Sequence, residues 1–190
     1  MKLYRSFMLC IGIAMLALSA CSLAQDVTTT TTATTAAKRI GVYDSRSITV
    51  AYGGSSYMKD RLQQAQEDMR KAQEANDTKR MTGIENEMHE WQKEAHRQAF
   101  STAPVDKLLE KIKDKIPEIE RKAGVETIVS KWDKDALARY GSAERVDVTM
   151  DLVRAFEPTE KQLKSAEDIQ KHDPIPLEEL EKHLAGEGKH

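Results

Sequence analysis

Few side chains in this sequence are both reactive in type and spaced for a reaction. His89 and His96 stand seven residues apart, with Glu85, Glu90 and Glu94 near them. Such a set could hold a metal ion only if both imidazoles met at one point. Seven residues make two helical turns, about 10.5 Å at 1.5 Å per residue, which is too far for one ion without a second chain. A solvated helix face is the expected reading, and neither a metal nor a cofactor is expected. The carboxylates alternate with Lys and Arg at i,i+4 spacing, which suits a charged helix surface better than an acid/base pair. Asp147 and Thr149 read as a turn and a cap. Gly53-Gly54-Ser55-Ser56 lacks the Lys-Ser/Thr that completes a phosphate-binding loop. No Ser/His/Asp or Cys/His set can be assembled, because Cys10 falls in a leader-like segment and leaves Cys21 alone. Catalytic residues are therefore not expected, and the chain is not read as an enzyme.

What remains is the chemistry of apolar contact, and helical spacing must position it. Met58, Leu62, Ala65, Met69 and Ala72 step by four and three, one narrow stripe of a helix. Asn76-Asp77-Thr78 interrupts the step, and a second stripe starts in a new register at Met81, Ile84, Met88, Trp91 and Ala95. Asn and Asp favour turns, so the spacing predicts two arms of about 20 residues, each about 30 Å long, folded into an antiparallel hairpin over 56–100. Ala and Met occupy a seam where a tight coiled coil would carry Leu and Ile. Flexible thioethers suit adaptable contact with another chain, but they also suit packing of arm on arm, which is the favoured use.

The first residues point to export. Lys2 and Arg5 precede an apolar run, Phe7 to Leu18, too short to span a bilayer comfortably, and Leu18-Ser19-Ala20-Cys21 follows. The segment resembles a bacterial lipoprotein signal, which implies lipidation of Cys21. Cleavage after Ala24 without a lipid is the competing reading. In a diderm host, Ser22 beside the cysteine resembles lipoproteins sent to the outer membrane. The next stretch holds seven threonines between Thr28 and Thr35 and reads as a flexible tether. A formal net charge of -2 offers no basic field for nucleic acid.

Arg39-Ile40-Gly41-Val42-Tyr43 alternates as a half-buried strand does, and 45–52 suits a strand or a short capped helix. Ser55 or Ser56 can cap the first arm. Beyond the arms, Thr102 and Pro104 open a helix whose aliphatic face, Val105 to Ile119, predicts one element kinked at Pro117 and stopped by Gly124. The β-branched run 125–132 reads as a central strand, 134–140 as a second strand or an irregular return, and 146–148 as a strand before a helix capped by Thr149. Residues 157–190 are polar and acidic, with helical potential over 159–170 and 177–184, and read as a loosely attached tail.

In order, these elements resemble the Skp/OmpH family of periplasmic chaperones. The likeness is carried by Arg39-Ile40-Gly41-Val42-Tyr43-Asp44, the paired helices, Ala123-Gly124-Val125-Glu126-Thr127-Ile128-Val129-Ser130 and Val146-Asp147-Val148-Thr149. It implies an α+β, mostly helical fold, in which a small β-sheet body carries a projecting antiparallel helical hairpin. It also implies a homotrimer that holds unfolded outer-membrane proteins between its arms without ATP. Client contact would fall to Met58, Leu62, Met69, Met81, Ile84, Met88 and Trp91. The arms depart from the family in charge, with eight Lys/Arg against nine Asp/Glu over 56–100, where family arms are basic.

The expected organisation is a lipoprotein signal over 1–20, a tether over 21–37, a Skp/OmpH-like domain over 38–156 and an acidic helical tail over 157–190. The body of that domain would be 38–55 and 104–156. Expected partners are unfolded or envelope proteins and, through the N-terminal lipid, a membrane; nucleic acid is not expected. The expected location is the periplasm, anchored to the outer membrane by Cys21, with a soluble periplasmic or secreted chain as the alternative. A structural adaptor of the envelope without holdase activity is the second functional expectation.

Overall fold

The computed structural model describes residues 38–187. The expected signal, the tether and Cys21 lie outside the described residues. Among the described residues no helix is long and apolar enough to cross a membrane.

The fold is mostly helical, with one small sheet. Strand β1 (Arg39–Tyr43) lies at its centre, between β2 (Ile128–Ser130) and β3 (Glu144–Asp147), and both pairings are parallel. Gly41 faces Ile128 on one side and Val146 on the other. A Cβ at Gly41 would come within 3.0 Å of Val148, 3.1 Å of Ile128 and 3.3 Å of Val125, so the close approach of three branched side chains favours glycine. Parallel neighbours cannot be joined by a tight turn and need crossover connections. Here the connections carry most of the helices.

Helix α1 (Ser45–Gly53) follows β1 directly, capped by the Asp44 carboxylate, which accepts from the Arg46 N–H. This resolves the 45–52 ambiguity in favour of helix. Ile48 and Ala51 are wholly buried, and so are the polar residues Ser45, Arg46 and Ser47. Two of those polar side chains are matched by the chain's C-terminal part: Ser47 Oγ donates to the Ala166 carbonyl at 2.8 Å, and Arg46 Nη1 donates to the His172 carbonyl at 2.8 Å. Ala166 sits on α8 (Glu160–Ile169) and is itself fully buried. The tail is thus not loosely attached. Its α8 closes the main core by covering α1, where only a small residue lets the two backbones approach. Helix α9 (Leu177–Glu187) then lies against α3 (Thr78–Phe100), with Leu180 buried and Arg97 3.6 Å from Glu181.

Three further expectations are corrected. The helix predicted across Pro117 is broken into α4 (Asp106–Leu109), a 3-10 turn (Glu110–Ile112) and α5 (Ile116–Ala123), with Pro117 in the first turn of α5. A proline there lacks only an N–H that the first turn leaves unpaired anyway, so it starts a helix instead of kinking one. Gly124 stops α5 as predicted, at φ 64°. Second, β2 is an edge strand, because only 128–130 pair and β1 takes the middle. Third, residues 134–139 form a helix, α6 (Lys134–Arg139), capped by Asp133 and burying Ala136 and Leu137 beside Ile40 and Val129. The crossover that a parallel β2–β3 link demands overrides the extended reading. Helix α7 (Thr149–Ala155) follows β3 and adds Leu152 and Val153 to the core.

Helix α2 (Ser56–Glu74), capped by Ser55, and α3, capped by Asp77, meet at the predicted break. They run in opposite directions: Asp68 meets Arg80 at 3.5 Å near the turn, and Arg61 meets Trp91 farther from it. Asn76 takes φ 53°, the left-handed conformation that asparagine tolerates better than other side-chain-bearing residues.

Candidate functional site

The α2–α3 pair buries little of itself. On α2 only Ala72 is buried, and on α3 only Ile84 and Gln98. The remaining apolar residues of both stripes are half-buried, because two helices alone cannot cover a seam that a third element leaves open. Along that seam lies a groove of about 540 Å³, walled by Met58 and Met69 from α2 and by Met88, Trp91 and Ala95 from α3. Glu85, His89, Gln92 and His96 complete its lining. Its apolar walls are half-buried, while Glu85, His89 and Gln92 are exposed.

The two ends of the seam differ in what they pack against. Met58 and Trp91 pack against the main core, and the Arg61 guanidinium lies 4.6 Å from the Trp91 ring centroid. Nearer the turn lies a second hollow, of about 220 Å³, where Arg80, Ile84 and Met88 of α3 face Ala65 and Asp68 of α2. Methionines there have three rotatable bonds and adapt to what they touch.

Of the seven contact residues expected from the sequence, Met58, Met69, Met88 and Trp91 converge on the groove. Leu62 and Met81 are half-buried on the arms. Ile84 is only 4% exposed, so it packs the arms together and is removed from the contact set. The physical reason is its position in the seam, where it lies opposite Ala65 and Asp68 of α2. His89 and His96 share the groove wall, and His96 also meets Phe100 edge-on at 5.9 Å.

A second polar constellation went unnoticed in the sequence. Asp44, fully buried, sits at the carboxyl ends of the parallel strands, where open α/β sheets place ligands. Its Oδ1 accepts from Arg46 Nε at 3.1 Å and Trp132 Nε1 at 3.3 Å, and its Oδ2 accepts from Arg46 Nη2 at 2.8 Å and Lys131 Nζ at 2.6 Å. Burial pushes the carboxyl's pKa up, but hydrogen bonds and charge from Arg46 and Lys131 outweigh it and hold the group below its ordinary value. The Asp44 N–H donates to Thr149 Oγ1 at 3.0 Å. Every oxygen lone pair facing the interior is thus engaged by the protein itself, which makes Asp44 a clamp between β1, α1, β2 and α7. The available signal was a carboxylate placed directly after an apolar strand with a cation two residues on.

Beside the clamp, Tyr43, Thr102, Asp106, Ser130, Asp133 and Arg139 contribute to a hollow of about 490 Å³. Burial, then the charges of Asp106 and Asp133, push the Tyr43 phenol well above its usual range, so it stays protonated and is no base. The methionine groove therefore offers the more specific chemistry.

Comparison with protein-family models, with curated proteins and with solved structures finds no match. The likeness to Skp and OmpH rests on the residues quoted above.

Proposed function

We propose that the chain is an exported, ATP-independent chaperone-like protein that binds non-native outer-membrane or envelope polypeptides along the α2–α3 pair. The observation that carries this reading is the groove itself: three methionines and a tryptophan, half-buried and contiguous, with no element among the described residues laid over them. Adaptable apolar side chains on an open surface suit many sequences in place of one. In this reading the hairpin projects from the sheet body as in Skp and OmpH, three copies assemble through that body, and lipidated Cys21 tethers the chain to the outer membrane from the periplasmic side. The near-neutral arms imply that apolar contact, and not charge, supplies the affinity.

The test is an aggregation assay with an unfolded outer-membrane barrel protein and stoichiometric chain lacking the residues before Gln25. Suppressed light scattering is expected, lost in a Met69→Glu, Met88→Glu double variant that remains folded. Sedimentation of the same protein as a trimer is expected; a monomer would remove the enclosed space between arms.

A second reading, a permanent adaptor for one envelope partner, is favoured by the end of the groove where Arg61 and the core pack on Trp91. Unchanged aggregation together with one stable co-purifying partner would replace the chaperone reading with this one.

A further inference from the structure

We propose that Asn76 is an acceptor for N-linked glycosylation at the turn between α2 and α3. Glu74-Ala75-Asn76-Asp77-Thr78 contains Asn-x-Thr with no proline between. Glu74, two positions before the asparagine, supplies the acidic residue of the extended acceptor form used by bacterial oligosaccharyltransferases. A three-residue pattern is weak evidence alone, and the placement of this one carries the inference. All five residues are exposed, and the pattern spans the turn, from Glu74, the last residue of α2, to Thr78, the first of α3.

Its local geometry suits an enzyme that must seize the segment. Asn76 turns the chain with φ 53°, and among the described residues neither its carboxamide nor the Thr78 hydroxyl has a hydrogen-bond partner. The turn is held by Asn76 N–H to the Gln73 carbonyl at 3.0 Å, Asp77 N–H to Ala72 at 2.8 Å and Thr78 N–H to Asn76 at 3.1 Å. Opening these bonds frees the acceptor without disturbing the core, a local unfolding confined to the helix ends. The nearest groove methionine, Met69, precedes Asn76 by seven residues, about 10 Å along the helix at 1.5 Å per residue. A glycan at the turn would extend the arms and leave the groove open.

The donor is an oligosaccharide linked to a polyprenyl diphosphate. Asn76 Nδ2 forms a bond to the anomeric carbon, and the bond between that carbon and the diphosphate oxygen breaks. The oxygen leaves with the bonding pair as polyprenyl diphosphate, an enzymic base takes the amide proton, and no oxidation or reduction occurs. The Thr78 hydroxyl is the handle by which the enzyme holds the acceptor. The inference rests on the export reading above, because such donors face the outer side of the inner membrane.

The experiment incubates the purified full chain, folded, with a bacterial oligosaccharyltransferase and a polyprenyl-diphosphate-linked oligosaccharide, then measures the tryptic fragment 72–79 by mass spectrometry. A mass increase of one glycan is expected on most molecules. It should disappear in Asn76→Gln and Thr78→Ala, persist in Thr78→Ser and fall at least tenfold in Glu74→Ala. No modification of the folded chain overturns the proposal, and modification of only the urea-unfolded chain overturns the claim that the turn presents it. This assay does not depend on export. A chain glycosylated in it, yet found in the cytoplasm of its own host with its leader uncut, would sink the export reading and leave the acceptor standing.

Discussion

Replacing Asp44 by Asn isolates the charge of the buried clamp from its shape, since Asn keeps both the size of the side chain and the ability to cap α1. Arg46 is 2% exposed in side chain and would lose its only anionic partner among the described residues, while partly exposed Lys131 can turn to solvent. Removing one member of a buried ion pair typically destabilises by about 3–5 kcal/mol, because the remaining charge stays desolvated. Against a total stability of about 5–15 kcal/mol this is a large share. At about 2–4 °C per kcal/mol for a domain of this size, the melting temperature should drop by about 6–20 °C. The pH dependence has a definite sign. Asp44 has a folded pKa below its unfolded value, so the unfolded state binds the proton more readily as pH falls. The stabilisation is complete above the unfolded carboxylate range and is lost as pH drops through the lowered folded value. Urea unfolding at pH 7 and at steps down to pH 3 reads both effects. The wild-type chain should lose stability along this acid limb, and Asp44→Asn should show a lower midpoint and a shallower limb. A loss under about 1 kcal/mol at pH 7, or an unchanged limb, would refute the account of Asp44 as an ionised clamp.

Gly41→Ala forces a methyl against Val148, Ile128 and Val125 and should lower the urea midpoint by an amount equal to about 1–3 kcal/mol, whereas Gly83→Ala, with open space around it, should not lower it. Ala166→Glu places a carboxylate against buried α1 and should undock α8; limited proteolysis is expected to release 157–190 from this variant and not from the wild type. Arg61→Ala uncovers the Trp91 ring, so tryptophan emission should shift to the red while stability changes by about 0.5–1 kcal/mol.

Helical spacing was enough to place the arms, since a period of 3.6 is written in which residues are apolar, and Asn76-Asp77 carries the turn chemistry that ends one arm and caps the next. The same spacing named the five apolar residues that wall the groove. It could not separate Ile84 from Met88, because whether a seam residue is covered depends on how far the partner helix lies from it at that height. Gly124 was legible for a local reason too, its left-handed conformation at a helix end.

Other features depend on partners distant in sequence. The strand-like 134–140 segment became a helix because β2 and β3 run parallel and must be joined across the sheet, a constraint that no local window contains. Buried Ser47 donates to the carbonyl of Ala166, and Arg46, beside its local bonds to Asp44, donates to that of His172, both more than a hundred residues away. That pairing turned an expected tail into part of the core. Local periodicity and turn residues thus determined the arms, while the burial of polar groups, the order of the strands and the Asp44 clamp were decided by tertiary contacts alone.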